Sequence, residues 1–522
     1  MHKFAIFRHT EMEFQEVKPV QEQPHADLLR RSLSENLEEN ISVLKTILNV
    51  PLNEDPIFRS FEANGRKICA VYIEGMADAR LISEFVLHAM ADAHDPLDGL
   101  DAKKFGETMI EVAQCRRATE IKEIISKVLA GMACILLENS AEALILETRG
   151  YAHRSVDKPL AETVVDGSHE GFNEHLRTNI TLLRRYCQSP DLVTQMMSVG
   201  TKVPTQVAMV YLNGVADEKC VAEVKKRLMC IKEKVVRGTG GIQQLIEDHP
   251  FALVPQMLQT ERPDRAASCL CDGQVAILVE NSPYALIAPV TFFHLVHSSD
   301  DSFLRWQYGT ALRIIRLLGL LISLFLPAFY IAVTMYHTHL VPMSLLSSIA
   351  EARANVPFPV IIEVLFMEFS FYLLNEAGLR TPSQIGSAFG IVGALVLGQA
   401  AVSASIISPI LIIIIALTGL GNYVVPNYGL GIGIVLYRLM MIAFSAALGL
   451  YGLMIGAFLL TLRLCSLKSF GVDYFAPIAP MRRHNPDILL RLPIWMQQKS
   501  MFYASPTSWM RDRGGKKGGK QK

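Results

Sequence analysis

The sequence predicts a membrane protein: an α/β soluble N-terminal region of two tandem similar lobes, then an α-helical multi-span transmembrane domain and a basic tail. Three observations predict it. Blocks in the first 300 residues recur in order, a long apolar stretch begins near Ala311, and lysine and arginine crowd the end. Half of the 522 residues are hydrophobic and only 19% are charged, low for a soluble protein, and mean hydropathy is +0.27. The length suits roughly two to four domains. Boundaries are expected at 1–32 (an extension), 33–165 and 166–300 (the lobes), 301–466 (the helical domain) and 467–522 (the tail).

The repeat carries the lobe reading. Asn36-Leu37-Glu38-Glu39-Asn40-Ile41 returns in looser form as His175-Leu176-Arg177-Thr178-Asn179-Ile180, and Val71–Gly75 returns as Val210–Gly214, both 139 residues later. Gly131 through Ser140 returns as Gly273 through Ser282, three residues later still. In each copy apolar residues at helical spacing (Leu37, Ile41, Leu44, Leu48) predict a first helix. A β-branched run then predicts a buried strand (Cys69–Ile73; Val207–Leu212). A late strand pair closes the unit (Ala133–Leu137 with Ala143–Glu147; Val275–Val279 with Ala285–Val290), joined through Glu-Asn-Ser turn chemistry.

Ala311–Tyr336 is long enough to cross a bilayer, for which about 20 residues suffice. Candidate spans are 312–335, 385–404, 406–424 and 430–464, the last being one tilted helix or two short ones. Pro357–Leu374 is apolar but carries Glu363 and Glu368, and reads as membrane-embedded or re-entrant. Arg305, Arg313 and Arg316 precede the first span, and Lys468, Arg482 and Arg483 follow the last. By the positive-inside rule both ends face the cytoplasm, so the crossings are even in number, about four or six. After Pro480 ten basic residues stand against Asp487 and Asp512, and this tail would at most touch anionic lipid.

On the 385–404 helix Gly386, Gly390, Gly393, Ala394, Ala401 and Ala404 fall on one side, and Ala388, Val392, Leu395, Gln399, Val402 and Ile406 on the other. The small-residue side suits close helix packing. In an oligomer the Val392, Leu395, Gln399, Val402 stripe would line a pore, with Leu395 or Val392 as a hydrophobic gate. Equally, it is a packed bundle helix whose Gln399 bonds a neighbouring backbone. Glu363 and Glu368 invite the same pair of readings, an acidic ion path or static partners of Arg353, Arg380 or Arg438.

Nothing here points to an enzyme. The chain holds no phosphate-binding GxxxxGK[ST], no GxSxG and no HExxH. His337 and His339 lack a third ligand, so no metal or other cofactor is expected. The nine cysteines are scattered and read as buried thiols in a reducing compartment. Acidic residues stand where the apolar core of a signal peptide would lie, so the N-terminal region is expected to be cytoplasmic. No nucleic-acid partner is indicated.

Several segments together resemble the A subunits of GerA-type spore germinant receptors. They are Glu170-Gly171-Phe172 with Leu176-Arg177-Thr178-Asn179, and Thr260-Glu261-Arg262-Pro263-Asp264. Ser282-Pro283 leading to Ala288-Pro289-Val290 follows. Later come Val356-Pro357-Phe358-Pro359 with Glu363, Glu376-Ala377-Gly378-Leu379-Arg380, Gly393 through Val402, and Ser469-Phe470-Gly471 with Tyr474 and Pro477. The chain departs from the family pattern at Ser168-His169, at Asp301-Ser302-Phe303 and at Asn375. The resemblance implies a two-lobed cytoplasmic N-terminal domain, a multi-pass location in the spore inner membrane, and assembly with a transporter-like B subunit and a lipoprotein C subunit. It also implies an oligomer that forms an ion-conducting path, which strengthens the pore reading of the stripe. A scaffolding subunit and the stage-V sporulation paralogue fit the same residues. A secondary transporter fits less well, because the membrane block shows no inverted repeat.

Overall fold

A computed structural model of the chain describes residues 26–63, 66–84, 115–150, 162, 166–380, 398–480, 490–491 and 493. The chain divides into two compact units, 1–152 with 187–195, and 153–186 with 196–522.

The first unit holds helix α1 (Leu37–Ile47), strands β1 (Pro56–Ala63), β2 (Arg66–Ile73) and β3 (Cys115–Ala118), helix α2 (Ile121–Leu129), and strands β4 (Ala133–Leu137) and β5 (Ala143–Leu146). Asn36 caps α1, its side chain accepting from the Glu38 and Glu39 N–H groups. The sheet order is β1-β2-β4-β5-β3, antiparallel throughout. Alternate residues of the central strands serve two cores. Cys69, Val71, Cys134, Leu136 and Ile145 face α1 and α2, whereas Ile68, Ala70, Ile135, Leu144 and Leu146 pack on the other face. With both faces covered, the strands read as continuous apolar runs rather than alternating ones.

The later elements repeat the pattern: α3 (Leu176–Tyr186), β6 (Leu192–Val199), β7 (Thr205–Leu212), α4 (Glu218–Met229), α5 (Gly238–Ile246), β8 (Leu258–Thr260), α6 (Pro263–Cys271), β9 (Val275–Val279) and β10 (Ala285–Ala288). Their sheet order, β6-β7-β9-β10-β8, is that of the first sheet. Equivalent details recur. Asn40 accepts from Ser34 N at 2.9 Å and donates to Ser34 O at 2.6 Å, and Asn179 does the same with Asn173 at 2.8 and 2.6 Å. Asn139 and Asn281 take left-handed backbone (φ 56° and 60°) in the β4–β5 and β9–β10 turns, which asparagine tolerates. The strands β1, β3, β6 and β8, absent from the sequence reading, are edge or near-edge elements whose residues are mixed in polarity.

The second unit continues into helices α7 (Trp306–Met335), α8 (Met343–Arg353), α9 (Val360–Arg380), α10 (Pro409–Tyr423), α11 (Tyr428–Leu448) and α12 (Leu450–Ser466). By length and composition α7 and α11 are able to cross a membrane. The stretch expected to be membrane-embedded or re-entrant lies in one 21-residue helix, α9, and both of its carboxylates find arginines. The 430–464 stretch is two helices that break at Gly449 (φ 61°). Of the 385–404 helix only 398–404 is described, with 398–403 helical.

Residues at the start of the expected tail are packed: Lys468–Ser469 pairs with Val472–Asp473, and Tyr474 is fully buried. The cysteines, expected to be buried, are not uniformly so, since Cys230, Cys271 and Cys465 are exposed. Cys269 and Cys271 lie on opposite sides of amphipathic α6, which is why only the first is covered.

Candidate functional site

Charged side chains gather where the second sheet and its helices meet α7–α12, and within the helix bundle itself. Glu363, 2% exposed on α9, pairs with Arg353 at 3.1 Å, and its other oxygen accepts from Ser408 N at 3.1 Å. Five residues further along α9, Glu368 pairs with Arg438 of α11 at 2.7 Å, and Arg438 also donates to Ser323 O and Oγ on α7. Glu368 Oε1 and Arg438 Nε find no hydrogen-bond partner among the described residues. A buried pair with unused atoms is held less firmly than a fully bonded one. The two acids are therefore ion-pair partners within the single chain, Arg353 and Arg438 being the arginines that hold them.

At the head of α7, Asp301 (1% exposed) binds two arginines, Arg313 at 3.2 Å and Arg316 at 2.7 and 2.8 Å. Those arginines, which entered the charge count for orientation, are thus buried and ion-paired to Asp301 rather than free flanking charges. Arg491, expected in the tail, donates to Ser302 O and Leu304 O beside them.

The two soluble-region motifs touch: Phe172 N–H donates to Glu261 O at 2.8 Å. Glu170 pairs with Arg185 and accepts from Tyr186 OH at 2.9 Å, while Gly171 and Phe172 are buried. Pro263 occupies the first turn of α6, where its missing N–H costs nothing. Arg262 is fully buried, forks onto Asp264 at 3.1 and 2.7 Å, and its N–H reaches Thr260 Oγ1. Thr260 Oγ1 and Arg265 both bind Glu162 at 2.5 Å. Burial and the hydrogen bond that the Tyr284 hydroxyl donates to Glu261 push that hydroxyl up to about 12. Burial and the Arg265 charge push His294 down to about 4. Arg262, Arg265, Asn375, Asn422, Tyr423 and Arg438 share the wall of one cavity of about 500 Å³. Asn375, one of the departures from the family pattern, accepts from Tyr423 OH at 2.9 Å.

Of the expected pore stripe, Val392 and Leu395 lie outside the described residues; Gln399 is exposed and Val402 half-buried. The sequence reading missed Glu162 and Arg265, and named Asp301 only as part of a departure from the family pattern. Arg438 in the middle of an apolar run was the signal that a buried acid had to be near.

The chain matches the family described as Bacillus/Clostridium GerA spore germination protein over residues 42–502. The chain belongs to the GerA family. This GerA-family chain is 37% identical to spore germination protein KA of Bacillus subtilis over 92% of its own length and 88% of that protein. It is 35% identical to spore germination protein B1 of the same organism, over 92% of its length and all of that protein (100%). A crystal structure of the N-terminal domain of the A subunit of the Bacillus megaterium germinant receptor GerK3 aligns with TM-score 0.40 and 27% identity, over 50% of this chain and 98% of that one.

Proposed function

We propose that the chain is a subunit of a spore germinant receptor complex, built from a duplicated cytoplasmic α/β lobe and a multi-pass helical domain in the spore inner membrane. In this reading both termini face the spore core, and the partners are further copies of the chain, a transporter-like B subunit and a lipoprotein C subunit. The role is non-enzymatic: the helices form an ion-conducting path gated by the partners, with Leu395 or Val392 as its constriction. Family membership supports the receptor role. The observation that carries the helical mechanism is the buried Glu368–Arg438 pair, whose unused Oε1 and Nε leave it able to exchange partners when helices shift.

The test is potassium release by spores carrying Leu395→Ala, with and without nutrient. Release without nutrient is expected, since removing the isobutyl group wets a hydrophobic gate. Full dormancy at normal protein level would overturn the gate. A scaffolding subunit is the second reading, and the engagement of Glu363 and Glu368 by arginines favours it over an open acidic ring.

A further inference from the structure

One loop of the second lobe lies against a helix that qualifies as a membrane span. Residues Pro250-Phe251-Ala252-Leu253-Val254-Pro255 hold no charge and no polar side chain. The loop is held rigid from inside: fully buried Gln256 accepts from His249 N at 2.9 Å and donates to His249 O at 2.7 Å. Ala252 N–H turns back onto His249 O at 2.9 Å. This turn presents Phe251, 95% exposed, at its tip, with Pro250 and Leu253 exposed beside it. A soluble lobe would gain nothing from fixing a bare phenyl ring in water.

The loop grips α11 along one stripe of that helix. Pro255 packs on Gly429, the Leu253 carbonyl on Gly433, and the Leu253 backbone is hydrogen-bonded to Tyr437. Gly433 is required there, because a Cβ would run into the Leu253 carbonyl oxygen. These positions advance by one helical turn each, so the loop runs inward from the start of α11. The opposite side of the loop is anchored too: Ser469 Oγ donates to Gln256 O at 2.7 Å and Tyr474 OH to Pro255 O at 2.9 Å. At about 1.5 Å per residue, Gly433 lies about 7 Å beyond Tyr428. The whole 21-residue helix is about as long as the hydrocarbon core, about 30 Å. A bilayer that covers α11 therefore reaches the loop.

We infer that the Pro250–Pro255 loop is a membrane anchor of the second lobe, its Phe251 ring seated among lipid acyl chains beside α11. The inference rests on α11 being a span. The loop sets the depth of the lobe, and the Gly429–Gly433–Tyr437 stripe ties that depth to one helix. Partial immersion of an aromatic ring is the usual device of interfacial anchors.

The experiment uses the full chain in nanodiscs of phosphatidylcholine brominated either near the headgroup end or near the middle of its acyl chains. Phe251→Trp adds a fluorophore at an exposed tip, where the fold does not depend on the side chain. Leu439→Trp, exposed on α11 and deeper, reports the span itself. Expected is a loss of roughly half the added Phe251→Trp emission with shallow bromines and a smaller loss with deep ones, the reverse of Leu439→Trp. Quenching of Leu439→Trp with a water-like, unquenched Phe251→Trp overturns the anchor and leaves the span standing, and a blue-shifted, unquenched Phe251→Trp overturns it in favour of a protein partner. If neither tryptophan is quenched, the span fails and the anchor with it.

Discussion

The two five-stranded sheets share one strand order and differ in what their edge carries. In the first, Leu33 N–H bonds Thr119 O, and α2 starts behind Glu120; in the second, Phe172 N–H bonds Glu261 O, and α6 starts behind Arg262. Ala118 faces Ala143 across the sheet, as Thr260 faces Ala285. At the same structural position, then, an exposed glutamate in one lobe is a fully buried arginine in the other. The first lobe kept a solvated helix start. In the second, the arginine is ion-paired to Asp264 and hydrogen-bonded to Thr260 Oγ1 and the Glu162 carbonyl. The internal asparagine clamp, by contrast, is the same in both.

The largest break in that equivalence is expected at the helix starts. Arg262→Ala strands Asp264 beside an emptied site and should cost about 3 kcal/mol. Glu120→Ala should stay within about 0.5 kcal/mol. Thermal unfolding of the full chain in detergent compares them directly, and equal shifts would mean the arginine is idle.

A pH difference comes next. His294 titrates near 4 when folded and near 6.5 when unfolded. The unfolded chain therefore binds the proton first as pH falls. Stability contributed by neutral His294 is complete above about 6.5, is lost progressively down to about 4, and totals about 3 kcal/mol at most. Protection factors at amides 291–297, corrected for the intrinsic exchange rate at each pH, should fall over that window, and His294→Gln should flatten the dependence.

The clamps should behave alike. Asn40→Ala and Asn179→Ala each leave backbone groups unpaired and should each cost about 1–3 kcal/mol, so unequal losses in chemical denaturation would show that the lobes differ inside as well as at the edge. The smallest effect is chemical rather than energetic. A maleimide should label exposed Cys271 and spare Cys269, whose thiol is pushed up to about 12 by burial.

Much of the fold was legible. Val207–Leu212, Val275–Val279 and Ala285–Val290 announce themselves because strands covered on both faces are apolar without interruption. β1 (Pro56–Ala63) did not, since Arg59, Ser60 and Glu62 on an edge strand look like loop. In Pro357–Leu374 the two carboxylates stood out, but which arginines hold them did not, since Arg353 and Arg438 come from other helices. Pairings of that kind, like Asp301 with Arg313 and Arg316, depend on tertiary placement that local pattern does not encode. The motif residues Glu170–Phe172 and Thr260–Asp264 were visible as a family signature, but their contact through Phe172 and Glu261 was not.

The break at Gly449 has a physical consequence for the setting in which the chain works. It leaves α11 with 21 residues and α12 with 17, about 31 and 25 Å of helix. In the multi-pass arrangement proposed above, two neighbouring spans of unequal length do not both match one hydrocarbon slab, so the longer tilts or the lipid around the shorter thins, at a fraction of a kcal/mol per Å. Acyl-chain length then becomes a mechanical input: thicker membranes strain the α12 side, and the angle between the two helices is set partly by the lipid that surrounds them.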